Sequence, residues 1–207
     1  NGKKYLLDCG MYQGMGNETD TLNRDFGFNP SEVNYMILSH AHIDHCGLIP
    51  KLIKEGYNGK VYCTPATKDL AAILMADSAG IQENDLKFEN KTRAVQGKPY
   101  LSPLYVMEDA TKAVEHFEIV DYGKWFTIDE NVQFMYLDAG HIIGSTTVHL
   151  KITENNKVTH LTFSGDVGRF RDIILRSPEV FPQADYIIME STYGNKLHDE
   201  ITGTPDK

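Results

Sequence analysis

Apolar residues gather in short runs that end in polar or glycine-rich turns, at 5–7, 35–38, 61–63, 132–137, 146–152, 158–163 and 186–189. Runs of this length, rich in β-branched and aromatic residues, predict strands. Val132, Phe134 and Tyr136 alternate along one face of the fourth run, and Thr147, His149 and Lys151 along one face of the fifth. That period of two suits half-buried, mostly antiparallel neighbours. His149 is thus a strand residue and, like His160 in the next strand and His116 in a helix, reads as an ordinary structural histidine.

Helical spacing takes over between the strands. Residues 48–55 continue from Gly47 as a short helix. Pro65 suits a first helical position ahead of Leu70, Ile73 and Leu74, which share one face. A third helix is predicted over 109–117, with Ala110, Ala113, Val114 and Phe117 as its apolar stripe and acids early enough to suit its N-terminus. Residues 82–102, polar and partly basic through Lys87, Lys91, Arg93 and Lys98, read as an exposed insertion with one helical turn or more, and 195–207 as a linker. Asn1-Gly2 reads as a hairpin turn and 4–8 as the strand leaving it. A partner strand before residue 1 is therefore expected, and the chain reads as part of a longer protein.

The 207 residues are 41% apolar and 24% charged, an ordinary globular composition with enough chain for a sizeable core. Lys and Arg number 20 against 29 Asp and Glu, a net charge of -9. This argues against a generally basic nucleic-acid coat or a membrane-surface binder, so contact with a polyanion must be local. Cys9, Cys46 and Cys63 form an odd set without C-x-x-C spacing, which disfavours a disulfide framework and a cysteine zinc finger and fits a reducing cytoplasm. No apolar run approaches a membrane span.

One stretch carries chemistry. Leu38-Ser39-His40-Ala41-His42-Ile43-Asp44-His45-Cys46-Gly47 places an H-x-H-x-D-H pattern directly after a strand. His40 and His42, two apart in extended chain, point the same way and can share one cation; Asp44 and His45, at the turn into a helix, can face a second. Imidazole with carboxylate favours zinc, with manganese or iron as substitutes. Other strand ends add candidates: His141 could complete three imidazoles on the first ion, and Asp166 could bridge both through its two oxygens. Asp8, ending the first strand, is placed to orient a ligand histidine through its other ring nitrogen.

With these residues in that order, the chain resembles the metallo-β-lactamase superfamily over nearly its whole length. Gly165-Asp166-Val167-Gly168-Arg169, followed by Met189-Glu190-Ser191-Thr192-Tyr193-Gly194, further resembles the β-CASP branch of nucleic-acid-processing nucleases, with Glu190 at its motif A acid. Asp77-Ser78-Ala79 with Ile81-Gln82-Glu83 is similar to an insertion in relatives of the pre-mRNA 3′-end cleavage factor and their prokaryotic ribonuclease cousins. The resemblance implies an α/β fold, an αββα sandwich with metals at one edge, here incomplete at both ends. Residues 1–194 would form the metallo-β-lactamase-like domain without its N-terminal strand, and 195–207 a linker toward a β-CASP domain. A return to the first domain with a last metal-binding histidine is also implied. Only the isolated His198 follows Gly194, so an incomplete second metal site is expected in this piece.

The expected activity is that of a zinc-dependent hydrolase in which two ions activate a water for attack on a phosphodiester of single-stranded RNA, as an endo- or exonuclease. Asp44, Asp166 and Glu190 are the carboxylates assigned to the reaction, and Glu190 is favoured as a support for the ligands. Ser191 and Thr192 either donate to a phosphate, hold Glu190, or form a plain turn. Arg169 either meets a phosphate or pairs internally with Asp166 and Glu190. A thioester or lactone hydrolase of the same fold is the second reading, and a non-catalytic metal-binding subunit of a processing complex the third. No membrane partner is expected; oligomeric state is left open.

Overall fold

The computed structural model describes residues 2–195. The linker from 196 onward, His198 with it, and the first residue of the Asn1-Gly2 turn lie outside the described residues. Strands β1 (Tyr5–Leu7), β2 (Tyr35–Ile37), β3 (Val61–Cys63) and β4 (Phe117–Ile119) form a parallel sheet in that order, with Leu7 opposite Ile37 and Val61 opposite both Met36 and Phe117. Between them run α1 (Thr19–Arg24), α2 (Ile43–Cys46), α3 (Ile49–Lys54), α4 (Pro65–Val95) and α5 (Met107–Val114). A second sheet takes β5 (Phe126–Thr127), β6 (Val132–Asp138), β7 (Thr146–Glu154), β8 (Lys157–Phe163) and β9 (Tyr186–Ile188) in order, antiparallel except for β8 and β9.

The parallel sheet is buried on both faces, as its continuous apolar runs require. Met36, Leu38, Val61 and Cys63 pack against the helices, among Leu52, Met75 and Ala113. Ile37 and Tyr62 face the other way, onto Phe134, Tyr136 and Val148 of the second sheet. Tyr136 is buried in this inter-sheet core, and its hydroxyl donates to the Tyr62 carbonyl at 2.8 Å, pairing a polar atom that would otherwise be stranded. No helix among the described residues follows β4, so the sandwich they form is helix, sheet, sheet. Outside the second sheet, His149 meets the ring of Phe181 instead, with centroids 5.9 Å apart.

The seven expected strands are present with ends shifted by two residues at most. The helices depart more. Residues 82–95, expected as an exposed insertion with a helical turn or more, are largely exposed but continue α4 without a break, and only the segment after Val95 is irregular; Asn90 ties it back through paired bonds with Leu101 of 2.9 and 2.8 Å. The buried stripe of α4 is Thr67, Ala71, Met75 and Ala79, whereas Ile73, expected on the inner face, is 65% exposed. Small residues let this helix approach its neighbours closely, which a count of large aliphatics misses. Phe117 ends no helix: α5 stops at Val114, and Phe117 opens β4 beside β3. Strands β4 and β5, only 3 and 2 residues long, are too short to show a period. Cys9, Cys46 and Cys63 are free and buried. Among the described residues no helix is long and apolar enough to cross a membrane.

Candidate metal centre

Strand direction brings the candidate ligands to one edge. β1 and β2 are parallel, and β6, β8 and β9 run in a common direction in the second sheet. Asp8, His40, His141, Asp166 and Glu190 follow the ends of these five strands. At this edge Thr146 clasps the two sheets, its N–H and its hydroxyl each donating to the Ser39 carbonyl at 2.9 Å. Asp8 adopts φ +58°, a left-handed conformation that Asp tolerates better than most residues and that turns its carboxylate toward β2.

Four ligand atoms converge: His40 Nε2, His42 Nδ1, His141 Nε2 and Asp166 Oδ2. His42 Nδ1 lies 3.1 Å from each of the other two nitrogens, and Asp166 Oδ2 lies 3.4 Å from His141 and 3.8 Å from His40. Four bonds of about 2.0–2.1 Å to a tetrahedral zinc imply edges of about 3.3–3.4 Å, so these spacings suit one small divalent ion. The other oxygen of Asp166 faces elsewhere, 3.2 Å from His45 Nε2. Asp44 Oδ2 stands 3.8 Å from the same nitrogen, half exposed and outside the four-atom group. Asp166 thus divides its two oxygens between a three-histidine position and a second position at His45 and Asp44.

Asp8 works from behind. Its Oδ2 lies 2.6 Å from His45 Nδ1 and accepts the Ser39 hydroxyl at 2.6 Å, while Oδ1 accepts the Ser39 N–H at 2.7 Å. Because the Ser39 hydroxyl donates to Asp8, its oxygen is left to accept from His40 Nδ1, 3.0 Å away. One carboxylate therefore sets both rings, holding a proton on each Nδ1 and freeing each Nε2 for the centre. Asp8, His40 and His45 also form a close group, but its carboxylate is already engaged by these bonds. Ser39 is the residue that sequence reasoning missed; a serine before a histidine is too common to signal this role.

Electrostatics follow the same division. Burial, with His45 nearby, pushes His40 down to about 2 and keeps its imidazole neutral, and burial with His141 nearby lowers His42. Burial opposes charge on His45 as well, yet hydrogen bonds to Asp166 and Asp8 outweigh it and raise His45 to about 10. The same bond to His45 holds Asp166 down to about 2. Asp8 and Asp166 thus favour positive charge at His45, beside the neutral ring of His40, and a metal cation held there would supply that charge.

The remaining candidates lie on one flank. Glu190 meets the backbone of the neighbouring turn: its carboxylate accepts the Val167 N–H at 2.7 Å, and its own N–H donates to the Ser164 hydroxyl at 3.1 Å, so it braces the turn that bears Asp166. Glu190, Thr192 and Arg169 line a cavity of about 330 Å³ together with His141 and Asp166. Ser191 is exposed, and its carbonyl accepts the Gly194 N–H at 2.9 Å, which makes this segment a turn. His149 stands apart, buried between the hydroxyls of Thr147 and Thr162 at 3.0 Å each, while His116 Nδ1 lies 2.9 Å from the Gly59 carbonyl.

A family model described as the metallo-beta-lactamase superfamily matches residues 1–199. The chain is 35% identical over 197 residues to Ribonuclease TTHA0252 of Thermus thermophilus, covering 95% of this chain and 40% of that protein. It is 33% identical over 193 residues to Transcription termination factor FttA of Methanocaldococcus jannaschii, covering 92% of this chain and 28% of that protein. The chain thus spans less than half the length of either relative. Among solved structures, a metallo-beta-lactamase from Cronobacter sakazakii aligns with a TM-score of 0.45 at 16% identity, over 78% of this chain and 53% of that chain.

Proposed function

Since the chain belongs to the metallo-beta-lactamase superfamily, we propose that it is the metal-holding part of a hydrolase of the β-CASP branch that cleaves phosphodiester bonds in single-stranded RNA. The carrying observation is the convergence of His40 Nε2, His42 Nδ1, His141 Nε2 and Asp166 Oδ2, with the second oxygen of Asp166 directed at His45. The first four atoms would hold one zinc ion; His45, Asp44 and Asp166 would contribute to a second. Kinship with a protein named a ribonuclease and another named a transcription termination factor supports RNA as the substrate.

Bound divalent ions supply Lewis acidity, which lowers the pKa of water enough for attack on phosphorus near neutral pH and offsets charge on the phosphoryl oxygens. The protein's own part is orientation. Asp8 and Ser39 fix which ring nitrogens of His45 and His40 face the metal centre, and burial keeps His40 unprotonated. Glu190 holds Val167 and so the Asp166 turn. Asp44, half exposed at the mouth, is the carboxylate best placed to take a proton from an attacking water. Residues 1–194 act as the metal-binding domain, the following segment leads to the inserted domain, and three free buried thiols suit a reducing cytoplasm.

The test uses the full-length protein loaded with zinc or manganese and a labelled single-stranded RNA. Cleavage that is abolished in Asp44→Ala and His45→Ala supports the reading. Hydrolysis of thioesters or lactones without RNA cleavage replaces it with a different hydrolase of this fold. Tight metal binding with neither activity replaces it with a non-catalytic subunit.

A further inference from the structure

The metal cluster has a second flank, opposite the one that holds Glu190. There a cavity of about 360 Å³ opens between Asp44 and His45 on one side and the α1 region on the other, walled by Met11, Tyr12, Leu22, Phe26 and Phe28. Its walls are fixed. The buried side chain of Asn23 accepts the Tyr12 N–H at 2.8 Å and donates to the Tyr12 carbonyl at 3.0 Å, which holds a 52% exposed tyrosine at the rim. Asp25 Oδ1 accepts the Gly27 N–H at 2.8 Å, and Gly27 at φ +67° turns the chain so that the rings of Phe26 and Phe28 meet with centroids 5.3 Å apart. Lys51 Nζ sits 3.8 Å from the Phe26 centroid, so Phe28, 41% exposed, presents the open aromatic face. Gly10 lies so close to Asp44 that a Cβ there would come within 1.6 Å of the Asp44 carbonyl oxygen, which locks this wall to the metal motif.

Charge selects what can enter. Asp25, exposed beside Phe26 and Phe28, repels a phosphate while its second oxygen can accept an N–H, and the walls are apolar and aromatic, so the cavity suits a flat, uncharged, donor-bearing ring. The phosphate belongs beside it, over the histidines. We infer that this cavity seats an unstacked nucleobase of the nucleotide adjoining the scissile phosphate, with Phe28 and Tyr12 as its stacking faces. This rests on the ribonuclease reading above and adds to it a subsite and a polarity: one nucleotide is held on the Asp44 flank, while the strand leaves past Arg169 and Thr192 on the other.

The experiment compares the full-length, metal-loaded protein with Phe28→Ala and Phe28→Trp on one RNA and on a set in which a stable abasic analogue replaces each nucleotide in turn. Phe28→Ala is expected to raise KM on the intact RNA about tenfold, with kcat and metal content unchanged, because stacking contributes to binding and not to ion retention. Phe28→Trp restores the KM. In the wild type one abasic position next to the cut reproduces the tenfold loss, and Phe28→Ala adds nothing further there. Active wild type with Phe28→Ala unchanged, or an equal further loss at every abasic position, overturns the subsite and leaves the ribonuclease reading standing. A metal-loaded wild type that cuts no RNA overturns both.

Discussion

Asp8 Oδ2 lies 2.6 Å from His45 Nδ1, and the Nε2 of the same ring lies 3.2 Å from Asp166 Oδ1. The imidazole is thereby gripped from both sides, with its position set by a residue at the end of the first strand. Asp8→Asn replaces a charged acceptor with an amide that can present a donor to Nδ1. Metal affinity, measured by competition with a chromogenic chelator, is expected to fall about 10- to 100-fold. Ser39→Ala, which removes the hydroxyl that joins Asp8 to His40 but leaves Asp8 on His45 and on the Ser39 N–H, should give a smaller loss of the same kind.

Histidines should separate by location. His42→Ala and His141→Ala each delete an atom of the converging group and should lower the bound metal per chain on elemental analysis after dialysis. His149→Ala removes a ring held by Thr147 and Thr162 on the second sheet and should leave metal content unchanged. Equal metal loss in all three would mean that the convergence has no bearing on binding.

Two glycines offer a matched pair. A Cβ at Gly168 would come 1.7 Å from the Gly140 carbonyl oxygen and 2.7 Å from the His141 nitrogen, so Gly168→Ala must displace the turn that carries His141. A loss of about 1–3 kcal/mol in urea unfolding, together with weaker metal binding, is expected. Gly80 lies within α4, where an added Cβ would meet nothing within 4 Å, and Gly80→Ala should gain about 0.5–1 kcal/mol through helix propensity.

The buried His149 predicts a pH dependence. Burial pushes its imidazole down to about 4, against about 6.5 in an unfolded chain. Between those values the unfolded state binds the proton and the folded state does not, so stability is present above pH of about 6.5 and is lost as pH falls toward 4. The loss amounts to at most about 3 kcal/mol. His149→Gln should flatten that part of the urea-midpoint profile, and an unchanged slope in the variant would assign the dependence to other groups.

Much of this was legible in the chain because its signals are local. Strands such as β1 and β3 end where their apolar runs end, and the H-x-H-x-D-H spacing needs only an extended segment entering a helix. The long α4 was half hidden, since its buried face is built of Thr67, Ala71 and Ala79 and its second half is polar. Glu190 was readable as an acid near the site, but not as a brace for Val167.

The sequence alone determined which side chains could bind metal and in what order they meet the strand ends. Tertiary structure decided which nitrogen of each ring faces the centre, how Asp166 divides its oxygens, and that Tyr12 and Phe28 wall a cavity beside Asp44. The reason is physical: a ring's tautomer is set by whatever its other nitrogen meets; for His45 that is Asp8, 37 residues away, and the Ser39 hydroxyl that meets His40 is oriented by the same carboxylate from 31 residues away. Parallel pairing of β1 with β2 makes that meeting, and no local pattern of residues encodes it.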